Sequence, residues 1–268
     1  MNTAQTMENG LDAGPILAVE NLSRHFGRVR ACEDVHLELH AGEVLGIVGE
    51  SGSGKTTLLR CVSGRLLPTS GSVRFDVRKG GLKDVFTLAE RDRRRLQREE
   101  WGFVHQNPRD GLRMRVSAGA NVAEPLMNIG DRHYANMRAH AVEWLSRVEL
   151  ELERIDDNMR NFSGGMQQRI QIARNLIHVP RIVFMDEPTG GLDVSVQARL
   201  LDLLRELVRR LGLAAIVVTH DLGVARLLAD RLMVMKNGEV VETGLTDQVL
   251  DDPQHAYTQL LVSAVLQL

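Results

Sequence analysis

Three groups of residues in this sequence have the types and spacing for phosphate chemistry. Gly49-Glu50-Ser51-Gly52-Ser53-Gly54-Lys55-Thr56-Thr57 fits G-x-x-x-x-G-K-[ST]. In such a loop, small residues let backbone N–H groups turn inward around the β- and γ-phosphates of a nucleotide, Lys55 supplies a compact positive charge, and the Thr56 hydroxyl can coordinate Mg2+. Ile182-Val183-Phe184-Met185-Asp186-Glu187 is an apolar run ending in two acids, the form of a Walker B strand. There Asp186 would hold Mg2+ directly or through water, and Glu187 can polarise the water that attacks the γ-phosphate. Phe162-Ser163-Gly164-Gly165-Met166-Gln167-Gln168-Arg169 opens a helix with Ser163 at its N-cap. Capping needs only Ser163, so Gly164 and Gly165 point to close backbone approach at a helix end suited to an anion.

Such side chains act only if rigid elements aim them. Val44–Val48 runs into the loop as a strand, and Leu58, Leu59, Val62 and Leu66 form a helical stripe after it. Val44–Val48, Ile182–Met185 and Ala215–Thr219 are short, continuous apolar runs, as expected of parallel strands covered on both faces. Val35, Leu37 and Leu39 instead alternate with His36, Glu38 and His40, the period of a half-buried antiparallel strand. Val194 to Leu211 reads as one helix with Leu200, Leu203, Leu204, Leu207 and Leu211 on one face, and Asn237-Gly238 joins Met233–Met235 to Val240-Val241 as a hairpin. From about 110 to 162 strand signals vanish, while Ala139, Val142, Leu145 and Val148 recur at helical spacing, indicating an inserted helical lobe. In the helix opened by Ser163, Met166, Ile170, Ala173 and Ile177 share a face. The charge run Ala89–Glu100 reads as a solvated helix with Glu90–Arg94 and Arg95–Glu99 pairs rather than a docking patch.

The chain has 268 residues, enough for one substantial core with a smaller lobe inserted. With 43% hydrophobic and 25% charged residues and a net charge of −2 it is an ordinary globular sequence, with no charge excess calling for a nucleic-acid partner. Cys32 and Cys61 lie far apart in sequence and form no C-x-x-C, so neither a disulfide framework nor a metal knuckle is implied. That cysteine usage fits a reducing, cytoplasmic setting, and no apolar run approaches the ~18 residues of a membrane span. Residues 1–15 are polar, end in Gly14-Pro15 and read as a disordered leader.

In order and spacing the motifs resemble the ATP-binding-cassette (ABC) ATPases over about Ile16 to Leu268. The resemblance implies an α/β fold: a P-loop NTPase of the ABC nucleotide-binding type over 16–268, with an antiparallel β subdomain and an inserted α-helical signature subdomain over about 110–180. It implies hydrolysis of ATP to ADP and phosphate, with ATP and Mg2+ bound. Phe162–Arg169 would be the signature motif, so Ser163, Gly164 and Gly165 would contact the γ-phosphate held by the opposite subunit of a head-to-tail homodimer. Gln106 matches the Q-loop glutamine that senses Mg2+ and the attacking water, and His220 the switch histidine. Phe26 matches the aromatic on which adenine stacks, although a core phenylalanine would look the same. The implied nucleotide-binding set is then Phe26, Gly49, Ser51, Gly52, Ser53, Gly54, Lys55, Thr56 and Thr57, completed across the dimer by Ser163, Gly164, Gly165 and the D-loop Asp193. The catalytic set is Glu187, His220 and Gln106, and the metal set Thr56, Gln106 and Asp186. The chain departs from the family pattern at Gly190-Gly191, where Ser-Ala is usual, and at Phe162 and Met166, where Leu and Gln are commoner.

Within the family, peptide importers typically carry a Met-Thr-Ser-Leu-Asn-Pro-like segment after the Q-loop glutamine. Here Asn107-Pro108-Arg109-Asp110-Gly111-Leu112-Arg113-Met114-Arg115 follows instead. With Gly190–Asp193 and Leu222–Asp230, this resembles the ATPase subunit associated with carbon–phosphorus lyase. That likeness implies an accessory motor in phosphonate catabolism whose partners are the soluble lyase core subunits and a second ABC ATPase. The alternative is a peptide or nickel importer subunit docked on a membrane permease; a third reading is a nucleotide-dependent clamp. Arg109, Asp110, Arg113 and Arg115 suit docking on a polar protein surface, with a solvated loop as the other reading.

Overall fold

The computed structural model describes residues 14–265. The leader expected over 1–15 therefore falls, up to residue 13, outside the described residues. The elements in chain order are β1 (Leu17–Phe26), β2 (Val29–Leu39), β3 (Val44–Val48), α1 (Lys55–Val62), β4 (Ser70–Asp76), β5 (Leu82–Asp84), α2 (Glu90–Glu99), β6 (Trp101–Val104), α3 (Pro108–Gly111), α4 (Ala118–Asn128), α5 (Tyr134–Arg147), α6 (Gly164–Leu176), β7 (Ile182–Asp186), α7 (Val194–Leu211), β8 (Ala214–Thr219), α8 (Leu222–Leu228), β9 (Arg231–Lys236), β10 (Glu239–Leu245), α9 (Thr246–Asp251) and α10 (Ala256–Val265).

Two sheets result. An antiparallel sheet runs β2-β1-β4-β5, and a six-stranded sheet runs β10-β9-β3-β8-β7-β6. In the second, all neighbours are parallel except β10, which returns from β9 through Asn237 and Gly238 with φ of 50° and 87°, the two positive angles of a type I′ turn. The continuous apolar runs are explained by burial on both faces. Leu45, Ile47, Phe184, Ile216 and Val218 point into a core shared with the antiparallel sheet and α1, while Val44, Val48, Val183, Met185 and Val217 point into a second core shared with the helices. Phe75, Trp101 and Phe184 tie the first core together in edge-to-face contacts, with ring centroids 5.3 Å apart in each pair.

α7 buries Leu200, Leu203, Leu204 and Leu207 along the expected stripe. Each such side chain contributes about 2 kcal/mol by leaving water, and Gly212, at φ 60°, ends the helix in the left-handed conformation. Between β6 and β7 the chain is helical, with α4 packed on α5 and α6. The charge run is α2, exposed apart from Leu96 and a few flanking half-buried positions, with Glu90 paired to Arg94 and Arg95 to Glu99 (3.0 Å).

Sequence distance misleads for the cysteines. Cys32 on β2 and Cys61 on α1 are both buried in the first core, and both are free. The Cys32 sulfur and burial together push the Cys61 thiol up. Among the described residues no helix is long and apolar enough to cross a membrane.

Candidate functional site

The phosphate loop links the end of β3 to the start of α1, and its glycines are fixed by what surrounds them. A side chain on Gly54, at φ 103°, would put Cβ 1.9 Å from the Ala31 carbonyl of β2. One on Gly49 would meet the Met235 carbonyl of β9 at 2.2 Å. Neither backbone can yield, so the loop is wedged between the two sheets. Inside it Lys55, 5% exposed, donates from Nζ to Gly49 O (2.8 Å) and Glu50 O (2.7 Å), with Ser53 Oγ at 3.4 Å. Burial lowers the Lys55 pKa, and Glu187, Asp186 and Glu50 oppose that shift. The ammonium is thus desolvated and satisfied only by loop oxygens, poised to exchange them for a stronger anion.

Thr56 Oγ1 donates to Asp186 Oδ1 at 2.8 Å, joining α1 to the end of β7. Asp186 is 6% exposed; burial raises its pKa, with the Thr56 hydroxyl pulling the other way, so a cation beside it would relieve the cost of keeping it ionised. Among the described residues no three His, Cys, Asp or Glu side chains gather into a metal cage. One carboxylate beside one hydroxyl suits Mg2+, which takes its remaining oxygens from water and substrate phosphates.

Glu187 is where β7 breaks. It adopts φ 42°, rare for an L residue, while its N–H still donates to Val218 O of β8 (2.9 Å). Its carboxylate is engaged from both sides: Gln106 Nε2 donates to Oε2 at 2.8 Å, and His220 Nδ1 lies 3.0 Å from Oε1. Gln106 follows β6 and His220 follows β8, so three neighbouring parallel strands deliver the three groups from one sheet edge. This is where an open α/β sheet presents ligand-binding loops. A cleft of about 760 Å3 lies over them, lined by Phe26, Gly49, Ser51, Gly52, Gly54, Lys55, Thr56, Thr57, Gln106, Glu187 and His220 among others. Phe26 is 47% exposed at its rim with the Arg24 guanidinium 4.6 Å from the ring centroid, so it is not a core residue.

The structure does not gather every expected residue there. Ser53 is buried inside the loop, 4% exposed. Ser163, Gly164, Gly165 and Asp193 do not line the cleft of their own chain; Ser163, Gly164 and Asp193 are exposed elsewhere. Ser163 caps α6, its Oγ accepting from Met166 N (3.4 Å), whereas Asp193 precedes α7 without a capping hydrogen bond from its side chain.

The face expected on α6 was too narrow. Alongside Ile170 and Ala173 the helix buries Gln167, Gln168 and Gln171. Gln168 Nε2 donates to Pro188 O (2.8 Å), beyond Glu187, and Gln171 holds His105 at both backbone groups, accepting from N (2.7 Å) and donating to O (3.0 Å). Since His105 precedes Gln106 and Pro188 follows Glu187, α6 is hydrogen-bonded to the segments that carry Gln106 and Glu187. A glutamine run reads as polar surface, so the only signal was its position beside the Gly-Gly pair. His105 itself is held down to about 4 by burial and then by Arg65, whose Nη1 lies 3.2 Å from Nε2. The cleft also includes Arg30, Ala31 and Leu261, none of which any motif marks.

Similarity to known proteins follows the same lines. The ABC transporter family model matches residues 32–190. Over 253 residues, 94% of this chain and 98% of the relative, the chain is 62% identical to the putative phosphonates utilization ATP-binding protein PhnK of Escherichia coli (strain K12). It is 38% identical over 255 residues, 94% of this chain and 78% of the relative, to a putative peptide import ATP-binding protein of Brucella ovis. Among solved structures, it superposes with a TM-score of 0.77 and 32% identity on the ATP-binding cassette MJ0796, a dimer in a post-hydrolysis state bound to ADP and Pi, over 86% of this chain and 98% of that one. With cbiO1 from Clostridium perfringens, part of the ABC transporter complex cbiONQ, the TM-score is 0.78 at 29% identity, over 90% and 92% of the two chains. Loop, acid pair and cleft therefore sit on a shared scaffold, and the chain belongs to the ABC transporter family as one of its ATP-binding cassettes, an ATPase domain.

Proposed function

We propose that this chain is a cytoplasmic subunit that closes head to tail with a second copy around two MgATP and acts as the accessory motor of the carbon–phosphorus lyase complex in phosphonate catabolism. The observation that carries the hydrolytic part is the engagement of Glu187 by Gln106 and His220 beside the Thr56–Asp186 pair. Lys55 would leave the Gly49 and Glu50 carbonyls for phosphate oxygens, with the loop N–H groups cradling the rest. Thr56, Asp186 and Gln106 would hold Mg2+, which when bound neutralises charge on the phosphates. Glu187 would then polarise water, with Gln106 and His220 fixing the orientation of its carboxylate.

The head-to-tail arrangement is supported by the position of Ser163, Gly164, Gly165 and Asp193 away from their own cleft. A clean test is available at Gly164, where an added Cβ meets nothing within 4 Å; at Gly165 it would press on Val196 at 2.7 Å and disturb the monomer. Gly164→Arg is expected to leave monomer nucleotide affinity within two-fold of wild type and to abolish MgATP-induced dimerisation in sedimentation. Loss of nucleotide binding by the monomer would instead put the signature in the same-chain site.

The phosphonate reading is supported by the likeness to the E. coli phosphonates utilization protein and by the segment after Gln106. Of its charges, Arg113 is exposed but already ion-paired within the chain: its Nη2 reaches Glu124 at 2.6 Å, and Arg174 holds the other oxygen of the same carboxylate. Arg109 and Arg115 are exposed and have no ion-pair partner among the described residues. Arg109→Glu with Arg115→Glu is expected to keep basal ATPase activity, lose co-purification with soluble lyase subunits and stop growth on a phosphonate as sole phosphorus source. A double variant that still binds the lyase core would remove this segment as the docking surface.

A further inference from the structure

The last helix reaches back to the start of the phosphate loop. Tyr257 on α10 is 5% exposed, and its hydroxyl accepts a hydrogen bond from the backbone N–H of Glu50 at 3.1 Å. The approach is built from several sides. Glu242 on β10 accepts from the N–H groups of Gln254 (2.8 Å) and His255 (3.0 Å), and His255 Nδ1 accepts from Tyr257 N (3.1 Å), which fixes the entry into α10. The Lys236 ammonium lies 4.7 Å from the Tyr257 ring centroid, at the end of β9. Two residues on, Gly238 N donates to Ser53 O of the same phosphate loop (3.0 Å). Four residues beyond Tyr257, on the same side of α10, Leu261 lines the cleft.

Glu50 is thereby gripped at both backbone groups, its N–H by Tyr257 and its carbonyl by Lys55 (2.7 Å). The two grips differ in what a phosphate does to them. Lys55 must release the carbonyl to bind an anion, whereas the Tyr257 hydroxyl does not depend on that exchange. We infer that Tyr257 is a positioning residue for the phosphate loop, holding Glu50 in place while Lys55 changes partners, and that α10 forms a wall of the nucleotide cleft through Leu261. The inference rests on the nucleotide site proposed above.

The test is Tyr257→Phe in the full chain, which keeps the ring and its packing and removes only the hydroxyl. Leaving the Glu50 N–H without its acceptor should raise KM for MgATP roughly three- to ten-fold, with kcat within two-fold and a melting temperature lower by only a few degrees. Unchanged KM, while Lys55→Ala weakens nucleotide binding, overturns the role of Tyr257 and leaves the site standing. A fall in kcat and melting temperature with KM unmoved makes Tyr257 a structural residue and equally overturns it. Lys55→Ala with wild-type ATP affinity removes the site itself, and the role of Tyr257 with it.

Discussion

Glu187→Gln should bind MgATP as wild type does and lose at least about 100-fold in turnover, the range expected when a positioned general base or water-orienting carboxylate is removed. The substitution preserves size and the positive-φ backbone at residue 187, leaving the amide oxygen to accept from Gln106 (2.8 Å) and the amide NH2 to face the His220 ring nitrogen (3.0 Å), which accepts in its other tautomer. What it removes is the negative charge that polarises water. Asp186, Thr56 and Lys55 are untouched, so the nucleotide should stay bound and the dimer persist once formed. Measuring single-turnover hydrolysis beside equilibrium binding separates the two effects. Wild-type turnover in the variant would reject Glu187 as the acting group; a wild-type protein that binds and releases ATP without hydrolysing it would favour a clamp.

Lys55→Ala should act on the other arm, weakening MgATP affinity about 30-fold, about 2 kcal/mol, the scale of a hydrogen bond made by a charged group. Burial of Lys55 makes this a site effect rather than surface electrostatics. Its ammonium has no salt-screened solvent shell to fall back on, and in the free protein it is satisfied by the Gly49 and Glu50 carbonyls and Ser53 Oγ. Isothermal titration of ATP into the purified variant reads the change directly. Affinity within two-fold of wild type would mean that the nucleotide is not held at this loop.

The residues on one sheet edge were legible because their signals are local. An apolar run before Gly49, another before Asp186 and a third before His220 each name a buried parallel strand and the polar group at its end. The Asn237-Gly238 turn and the stripe of α7 were readable for the same reason, being set by φ preference and by a 3.6-residue period. Contacts made across the fold were not. Nothing near Gly54 in sequence announces the Ala31 carbonyl beside it, nothing about Cys32 announces Cys61, and the charge of Arg113 gives no hint that it shares Glu124 with Arg174. Gln168 and Gln171 carry no sign of burial in the sequence, because a glutamine is buried only when its amide groups find partners, and the partners here, Pro188 and His105, come from two other segments. Tyr257 lies more than two hundred residues from the loop it touches.

The central claim, a cassette ATPase that drives a soluble phosphonate-degrading enzyme, is tested most directly by its partners. The full-length protein should be tagged in cells growing on a phosphonate as sole phosphorus source and purified in the presence of ATP, and the proteins that accompany it identified by mass spectrometry. The account predicts soluble carbon–phosphorus lyase core subunits in stoichiometric amounts, without membrane permeases; recovery of permease subunits with no lyase component would contradict it.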